Sequence, residues 1–326
     1  MDARAVFPQV PLRTGMYESF YLRAVSPTEP VGVWIRHTVH KARGCPARGS
    51  VWCTVFDAAA GRPFMHKLSS QTVRVPAGGW IAIAEHASMG EGKASGSCGD
   101  ARWSLTFSTH EAELRHLNPG WLYRSAIPRT KLTSPAPSAS FEGVLELGGG
   151  RSLNLDGWHG MVGHNWGSEH AERWIWLHGV DFEQSEGAWL DMALGRLAVA
   201  GRTAPWVANG ALCLDGRRYR LGGLLARGLR VSESARGCEL SVTGEHGVKL
   251  AGRVEVPGES AAGWRYADPD GGEHDVVNCS VAELDLTVEI PGAGAPVGLR
   301  TAHGGAYELG TRERDHGVPV ADFDDG

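Results

Sequence analysis

Apolar and polar residues alternate along this chain in short bursts, and the three-to-four residue spacing of a helix is scarce. The alternation is clear in Ser19–Val25, Val31–Val39, Ser50–Phe56, Trp80–Ala87 and Arg102–Ser108. It recurs in Thr72–Val75, Phe141–Leu147, Arg173–Phe182, Ala188–Leu197, Ala211–Leu214, Arg218–Leu221, Cys238–Thr243, Gly247–Val256 and Val281–Ile290. A period of two predicts strands with one face turned to a core. Asp156-Gly157, Asp215-Gly216 and Asp268-Pro269-Asp270-Gly271-Gly272 supply tight-turn chemistry between such runs. One segment, Ser108–Leu117, predicts a helix, with Ser108 and Glu111 as a capping box and Asn118-Pro119-Gly120 as the stop. The pattern as a whole predicts an all-β chain with little helix.

Ile127–Ser138 holds three prolines among small polar residues, a composition that disfavours helix and central strand alike. It predicts a linker, and with it two β-domains, residues 1–130 and 131–326. A short echo joins them: Val33-Trp34-Ile35-Arg36 and Val51-Trp52-Cys53 resemble Ile175-Trp176-Leu177-His178 and Ala188-Trp189-Leu190.

Composition narrows the classes of function. The 326 residues carry a net charge of −5 with no basic stripe, which counts against nucleic-acid binding. Six cysteines lie far apart without a CxxC pair, as expected of free thiols in a reducing compartment such as the cytoplasm. No apolar run is long enough to span a bilayer, which leaves peripheral membrane contact open. Tryptophan, 12 residues, outnumbers both Tyr and Phe, and this excess suits a large apolar binding surface.

Much of that tryptophan falls in one place. Trp158, Trp166, Trp174 and Trp176 stand with His159, His164, His170 and His178 within about two dozen residues. On extended backbone Trp174, Trp176 and His178 share a face, as do Trp189, Asp191 and Ala193 on the next segment. Glu183–Gly187 is a hairpin loop between them, so pairing would set Asp191 near the tryptophan wall. Against apolar walls a carboxyl has a raised pKa and stays protonated near neutrality, ready to act as an acid. Indole faces stabilise a developing positive charge. His164 is a candidate proton carrier and Asn165 a neutral hydrogen-bonding group. Trp158, Trp166, Trp174, Trp176, His178 and Trp189 are the candidate ligand-binding residues. The plainer alternative is that the tryptophans fill barrel cores and backbone groups satisfy the polar residues. HExxH is absent and the histidine spacings settle on no single face, so no metal is expected.

Trp158-His159-Gly160, His164-Asn165-Trp166-Gly167, Trp174-Ile175-Trp176 and the acidic strand at Asp191 resemble the carotenoid 1,2-hydratase (hydroxyneurosporene synthase) and tocopherol cyclase-like superfamily, which includes fungal pericyclases of the Diels–Alderase type. The resemblance implies two tandem lipocalin-like β-barrels or sandwiches and an apolar isoprenoid or polyketide-like ligand. It implies cyclisation, hydration or pericyclic chemistry without a cofactor, with Asp191 where the hydratases place an acid. Three functions follow: a cofactor-independent enzyme first, a carrier of a hydrophobic ligand second, a metal-dependent hydrolase third. Substrate and oligomeric state stay open.

Overall fold

The computed structural model describes residues 3–199, 202–224 and 226–323. It is nearly all β, as the alternation predicts. The first sheet contains β1 (Met16–Val25), β2 (Val31–Lys41), β3 (Arg48–Asp57), β4 (Phe64–Ser70), β5 (Val73–Arg74), β6 (Gly79–Ile83), β7 (Ala87–Gly90), β8 (Lys93–Cys98) and β9 (Ala101–Ser108). To these it adds β10 (Leu114–Arg115), β11 (Thr130–Glu146), β12 (Ser152–Asn154) and β13 (Trp158–Gly167). The second sheet has β14 (Arg173–Gly179) and β15 (Trp189–Arg196), then, past a small ribbon of β16 (Ala198–Val199) and β17 (Arg202–Thr203), β18 (Val207–Leu214) and β19 (Arg217–Gly222). It ends with β20 (Arg230–Ser234), β21 (Gly237–Thr243), β22 (Lys249–Glu255), β23 (Ala262–Ala267), β24 (Glu273–Glu289) and β25 (Val297–Thr311). Each sheet curls toward a barrel around its own apolar core, the architecture of tandem lipocalin-like barrels.

The two sheets repeat one topology. The first runs β4-β3-β2-β1-β13-β11-β9-β8-β7 before its last edge strands, and the second runs β19-β18-β15-β14-β25-β24-β22-β21-β20. In this correspondence β1 matches β14, β13 matches β25, and the 17-residue β11 matches the 17-residue β24. Both long strands break register twice, at Thr133/Ala136/Ala139 and at Cys279/Ala282/Leu284. Such bulges let a strand bend around a barrel corner. The tryptophan echo seen in the sequence pairs β2 with β14, which are not equivalent strands. The duplication is real, but that echo is not its trace.

Two predicted elements are corrected. The proline-rich stretch is no linker: Thr130–Glu146 is a strand of the first sheet. Pro135 and Pro137 fall between the register breaks of β11, where the ladder toward β13 is interrupted and a missing N–H costs little. The chain passes from one sheet to the other between Gly167 and Arg173, so residues 131–167 lie with the first sheet. Ser108–Leu117 is not a helix either. Ser108 ends β9, the Thr109 hydroxyl caps the Glu111 N–H as a local turn, and the Glu111 carboxylate is taken by Arg218 and the Trp189 indole. Tertiary partners outbid a weak local preference.

Arg23 joins the sheets. It is fully buried on β1, and its guanidinium donates to His178 Nδ1 (3.0 Å) and to the carbonyls of Ser280 and Gly305 (2.8 Å each) on the second sheet. His178 Nδ1 must accept there, so its Nε2–H is the donor to the Pro137 carbonyl on β11 (3.0 Å). Burial first, and the Arg23 charge second, push the His178 imidazole down to about 4, which keeps it neutral at this seam. All six cysteines are unpaired and five are buried. No helix among the described residues is long and apolar enough to cross a membrane.

Candidate functional site

A cavity of about 570 Å³ opens between the two sheets. The first sheet contributes Tyr17, Tyr21, Trp34, Arg36 and Asn165, and the second Trp174, Trp176, Ala193, Asn209, Tyr266 and Glu308. Residues 117–128 cover one side with Leu117, Leu122 and Pro128. Trp121, Ile127 and Leu224, three of the few large apolar side chains left exposed, also stand on its wall. An exposed apolar group beside a concave site marks a mouth suited to a hydrophobic ligand.

Glycines let the aromatic wall lie flat. Tyr21 pairs with Gly163 across β1 and β13, and Trp174 pairs with Gly310 across β14 and β25. A Cβ at Gly163 would sit 2.1 Å from the Tyr21 ring, and one at Gly310 2.1 Å from the Trp174 indole. The two pairs lie across equivalent strand pairs of the duplicated topology, at different positions along them. Gly310→Ala should therefore tip the Trp174 indole out of place at a cost of roughly 1–3 kcal/mol. A changed near-ultraviolet circular dichroism spectrum with a lowered Tm would register it, and an unaltered spectrum would count against this packing.

The segment that crosses between the sheets carries His170, whose ring is stacked between Tyr17 (centroids 3.9 Å apart) and Trp174 (5.2 Å). Its side chain is 10% exposed. Asp268, in the β23–β24 turn, accepts from both the His170 backbone N–H (2.8 Å) and Nδ1 (2.7 Å) through one oxygen. His170 Nε2 is buried and has no protein partner. Burial, the largest influence, lowers the His170 pKa despite the carboxylate beside it, so the ring is neutral near pH 7 with Nε2 carrying the lone pair. Burial alone would raise Asp268, but its bonds to His170 outweigh this and the carboxyl lies below its usual range. Beside them Glu308 is held by the Trp174 indole (2.8 Å), Asn278 (3.1 Å) and the Tyr266 hydroxyl (3.5 Å).

His274 adds a third donor to His170 and Asp268, and the three can be chosen within 4.8 Å of one another. Both ring nitrogens of His274 lack hydrogen bonds, and two imidazoles with a carboxylate are a donor set for zinc or iron. Against a dication, His170 Nδ1 already donates to Asp268, and Arg312 and Arg314 add positive charge near His274. The geometry fits a hydrogen-bonded His–Asp pair better than a cation cage.

The residues singled out in the sequence divide. Asn165, Trp174 and Trp176 line the cavity, and Asn165 Oδ1 is buried without a partner. His164 lies behind the wall, bonded to Glu18 at 2.7 Å and stacked between Phe20 and Trp166. Trp158 belongs to the core of the first barrel and Trp189 to that of the second. The predicted hairpin forms, with Trp176 opposite Ala193 and His178 opposite Asp191. Asp191 meets the tryptophan wall through a hydrogen bond from Trp176 Nε1 to its Oδ1 (3.1 Å). It is fully buried and off the cavity surface, with the Ser134 hydroxyl (2.5 Å) and His116 Nε2 (3.4 Å) on its other oxygen. The expected raised pKa is corrected. Burial does push upward, but the neighbouring His116 and Ser134 hold the carboxyl below its usual value. His170 stood in the histidine cluster without a role; Asp268, Glu308, Arg36 and the two tyrosines gave no sequence signal because four separate strands and a turn bring them in.

Fold and cavity together define a tandem lipocalin-like protein with a cavity at the junction of its two sheets. No protein-family model matches the chain. Uncharacterized proteins of Mycobacterium tuberculosis, strains CDC 1551 and H37Rv, are 28% identical over 318 residues, covering 94% of this chain and 93% of each relative. Among solved structures, kievitone hydratase of Nectria haematococca superposes with a TM-score of 0.59 at 12% identity, covering 95% of this chain and 93% of that one. CghA bound to Sch210972 gives 0.58 at 12% identity, with 91% and 88% covered. An AttH-like protein of Nitrosomonas europaea gives 0.55 at 14% identity, with 95% and 98% covered. These likenesses establish the shared fold. They do not single out carotenoid 1,2-hydratases.

Proposed function

We propose that this protein binds an apolar small molecule in the cavity between its sheets and converts it by proton transfer without a cofactor, as a hydratase or cyclase. The observation that carries this is His170, a cavity-lining imidazole whose Nε2 is buried without a partner and whose Nδ1 is anchored to Asp268. A base oriented by a carboxylate is the working part of general acid–base catalysis. In this mechanism Nε2 takes a proton from the ligand or from a water, and Asp268 steadies the resulting imidazolium. Nε2–H then returns the proton to a carbon or oxygen of the ligand, so that the enzyme ends as it began. Glu308 is a second carboxylate on the same wall. Asn165 offers its amide to a polar atom of the ligand. Tyr17 and Trp174, stacked on the His170 ring, stabilise the imidazolium as it forms. Asp191 is a positioning residue that fixes the Trp176 indole, not the acid that meets the ligand. An isoprenoid or polyketide-like skeleton suits the aromatic wall and the hatch of residues 117–128. The unpaired thiols support a reducing, cytoplasmic setting.

The test is mass spectrometry of ligand extracted from purified protein, before and after incubation with fresh protein. A product differing by one water, or an isomer of unchanged mass, is expected. Stoichiometric ligand that is recovered unaltered would make the protein a carrier.

A further inference from the structure

Arg36 is the least expected group in this apolar site. It lies on β2 and is only 5% exposed. Its Nε donates to the Ser19 hydroxyl (2.9 Å) and its guanidinium lies 4.1 Å from the centre of the Tyr266 ring. Among the described residues no carboxylate forms an ion pair with it. A guanidinium keeps its charge at any pH the protein meets, and burying a charge without a counter-ion is costly. Cation–π contact recovers only part of that cost.

A second cavity, of about 290 Å³, adjoins the first, and Tyr17, Arg36, His170 and Tyr266 line both. The two spaces differ in character. The larger is walled mainly by aromatic and aliphatic side chains, while the smaller adds Arg48, Lys67 and Arg265. Arg265 is paired with Asp275, but Arg48 has no carboxylate partner among the described residues and its Nε is buried without a hydrogen bond. The single carboxylate on the smaller wall, Glu18, is already occupied by the N–H groups of Val6 and Phe7 and by His164. Arg36, without a direct ion pair among the described residues, therefore stands at the join of an apolar chamber and a basic one, with the Glu308 carboxylate on the far side of Tyr266.

We infer that the ligand is an amphipathic anion, whose apolar body fills the larger cavity while a carboxylate or phosphate group meets Arg36 at the join, with Arg48 beyond it. The inference rests on the larger cavity being the ligand site. An anionic oxygen group would supply the direct ion pair that the fold leaves out, and the planar guanidinium fork matches it with paired hydrogen bonds. It would also fix the ligand lengthwise, setting one region of the apolar body beside His170.

Four probes with the same twelve-carbon chain test this by quenching of tryptophan fluorescence: dodecanoate, dodecyl phosphate, dodecanol and dodecyltrimethylammonium. At least one anion should bind about tenfold or more tightly than the alcohol, with the cation weakest, and the tighter anion names the head group. Arg36→Met should erase the gap between anion and alcohol, with the anion losing far more affinity than the alcohol. Equal binding of alcohol and anions by the unmodified protein overturns the inference without any variant having to fold. A gap that survives Arg36→Met in a folded protein overturns it too. Binding of all four probes irrespective of head group would leave the apolar cavity standing and remove only the anion site. No binding of any probe would overturn the cavity as a ligand site and the anion site with it.

Discussion

Replacing His170 with Asn should lower turnover of the cavity ligand by about 10²–10⁴-fold and leave its affinity within a few-fold. Asn keeps a polar group in the slot between Tyr17 and Trp174 but has no lone pair of comparable basicity at the Nε2 position. Asp268→Asn should cost less, since it removes the carboxylate that orients the ring and stabilises its protonated form but leaves the ring itself. The pH profile carries a sign as well. The His170 pKa is lowered, so the base is already free at neutrality and activity should fall only on the acid side of the ordinary histidine range. Undiminished turnover in His170→Asn would remove the residue from the mechanism. If that variant instead stayed active and a chelator abolished turnover, the chemistry would move to a metal near Asp268 and His274.

The second large effect is on stability. Asp191→Asn should destabilise the fold by about 3 kcal/mol, the range for disrupting hydrogen bonds to a buried charged group. The carboxylate is fully enclosed, and its two oxygens serve Trp176, Ser134 and His116. An amide can accept from one side only and turns donors toward groups placed to donate. The native contribution is also pH-dependent. The folded-state pKa lies below the unfolded value near 3.9, so the stabilisation is fully present above that value and is lost as pH falls through the lowered one. Urea melts of both proteins at neutral and acid pH measure this: the gap between them should shrink in acid. Turnover should drop too, through the displaced Trp176 indole. An Asp191→Asn protein of unchanged stability would show that the carboxylate is not held as described.

Strand-forming segments were legible because alternation reports one buried face locally, and β14 and β15 were legible down to their pairing because a five-residue loop joins them. The first half of β24 and the second half of β25 were missed, since segments buried on both faces lose the alternation. The Pro135–Pro137 stretch misled because its prolines sit at bulges, which only the partner strand reveals. At the site, tryptophan and histidine clustering pointed to Trp174, Trp176 and Asn165. Asp191 looked like an acid on the same grounds, and only the hidden His116 and Ser134, more than fifty residues upstream, show that its charge is already engaged. His116 and Asp268 lie in turn-rich connections where no periodicity marks a residue as inward-facing.

Neither sheet contains the cavity; its walls face each other only when the two halves are docked. Any state in which one barrel has folded and the other has not therefore lacks the cavity, and with it whatever the cavity does. The same geometry makes a bound ligand a cross-brace. By mass action it would add to the free energy of separating the halves as its concentration rises above Kd, so that the supply of ligand would itself set how long the docked form survives.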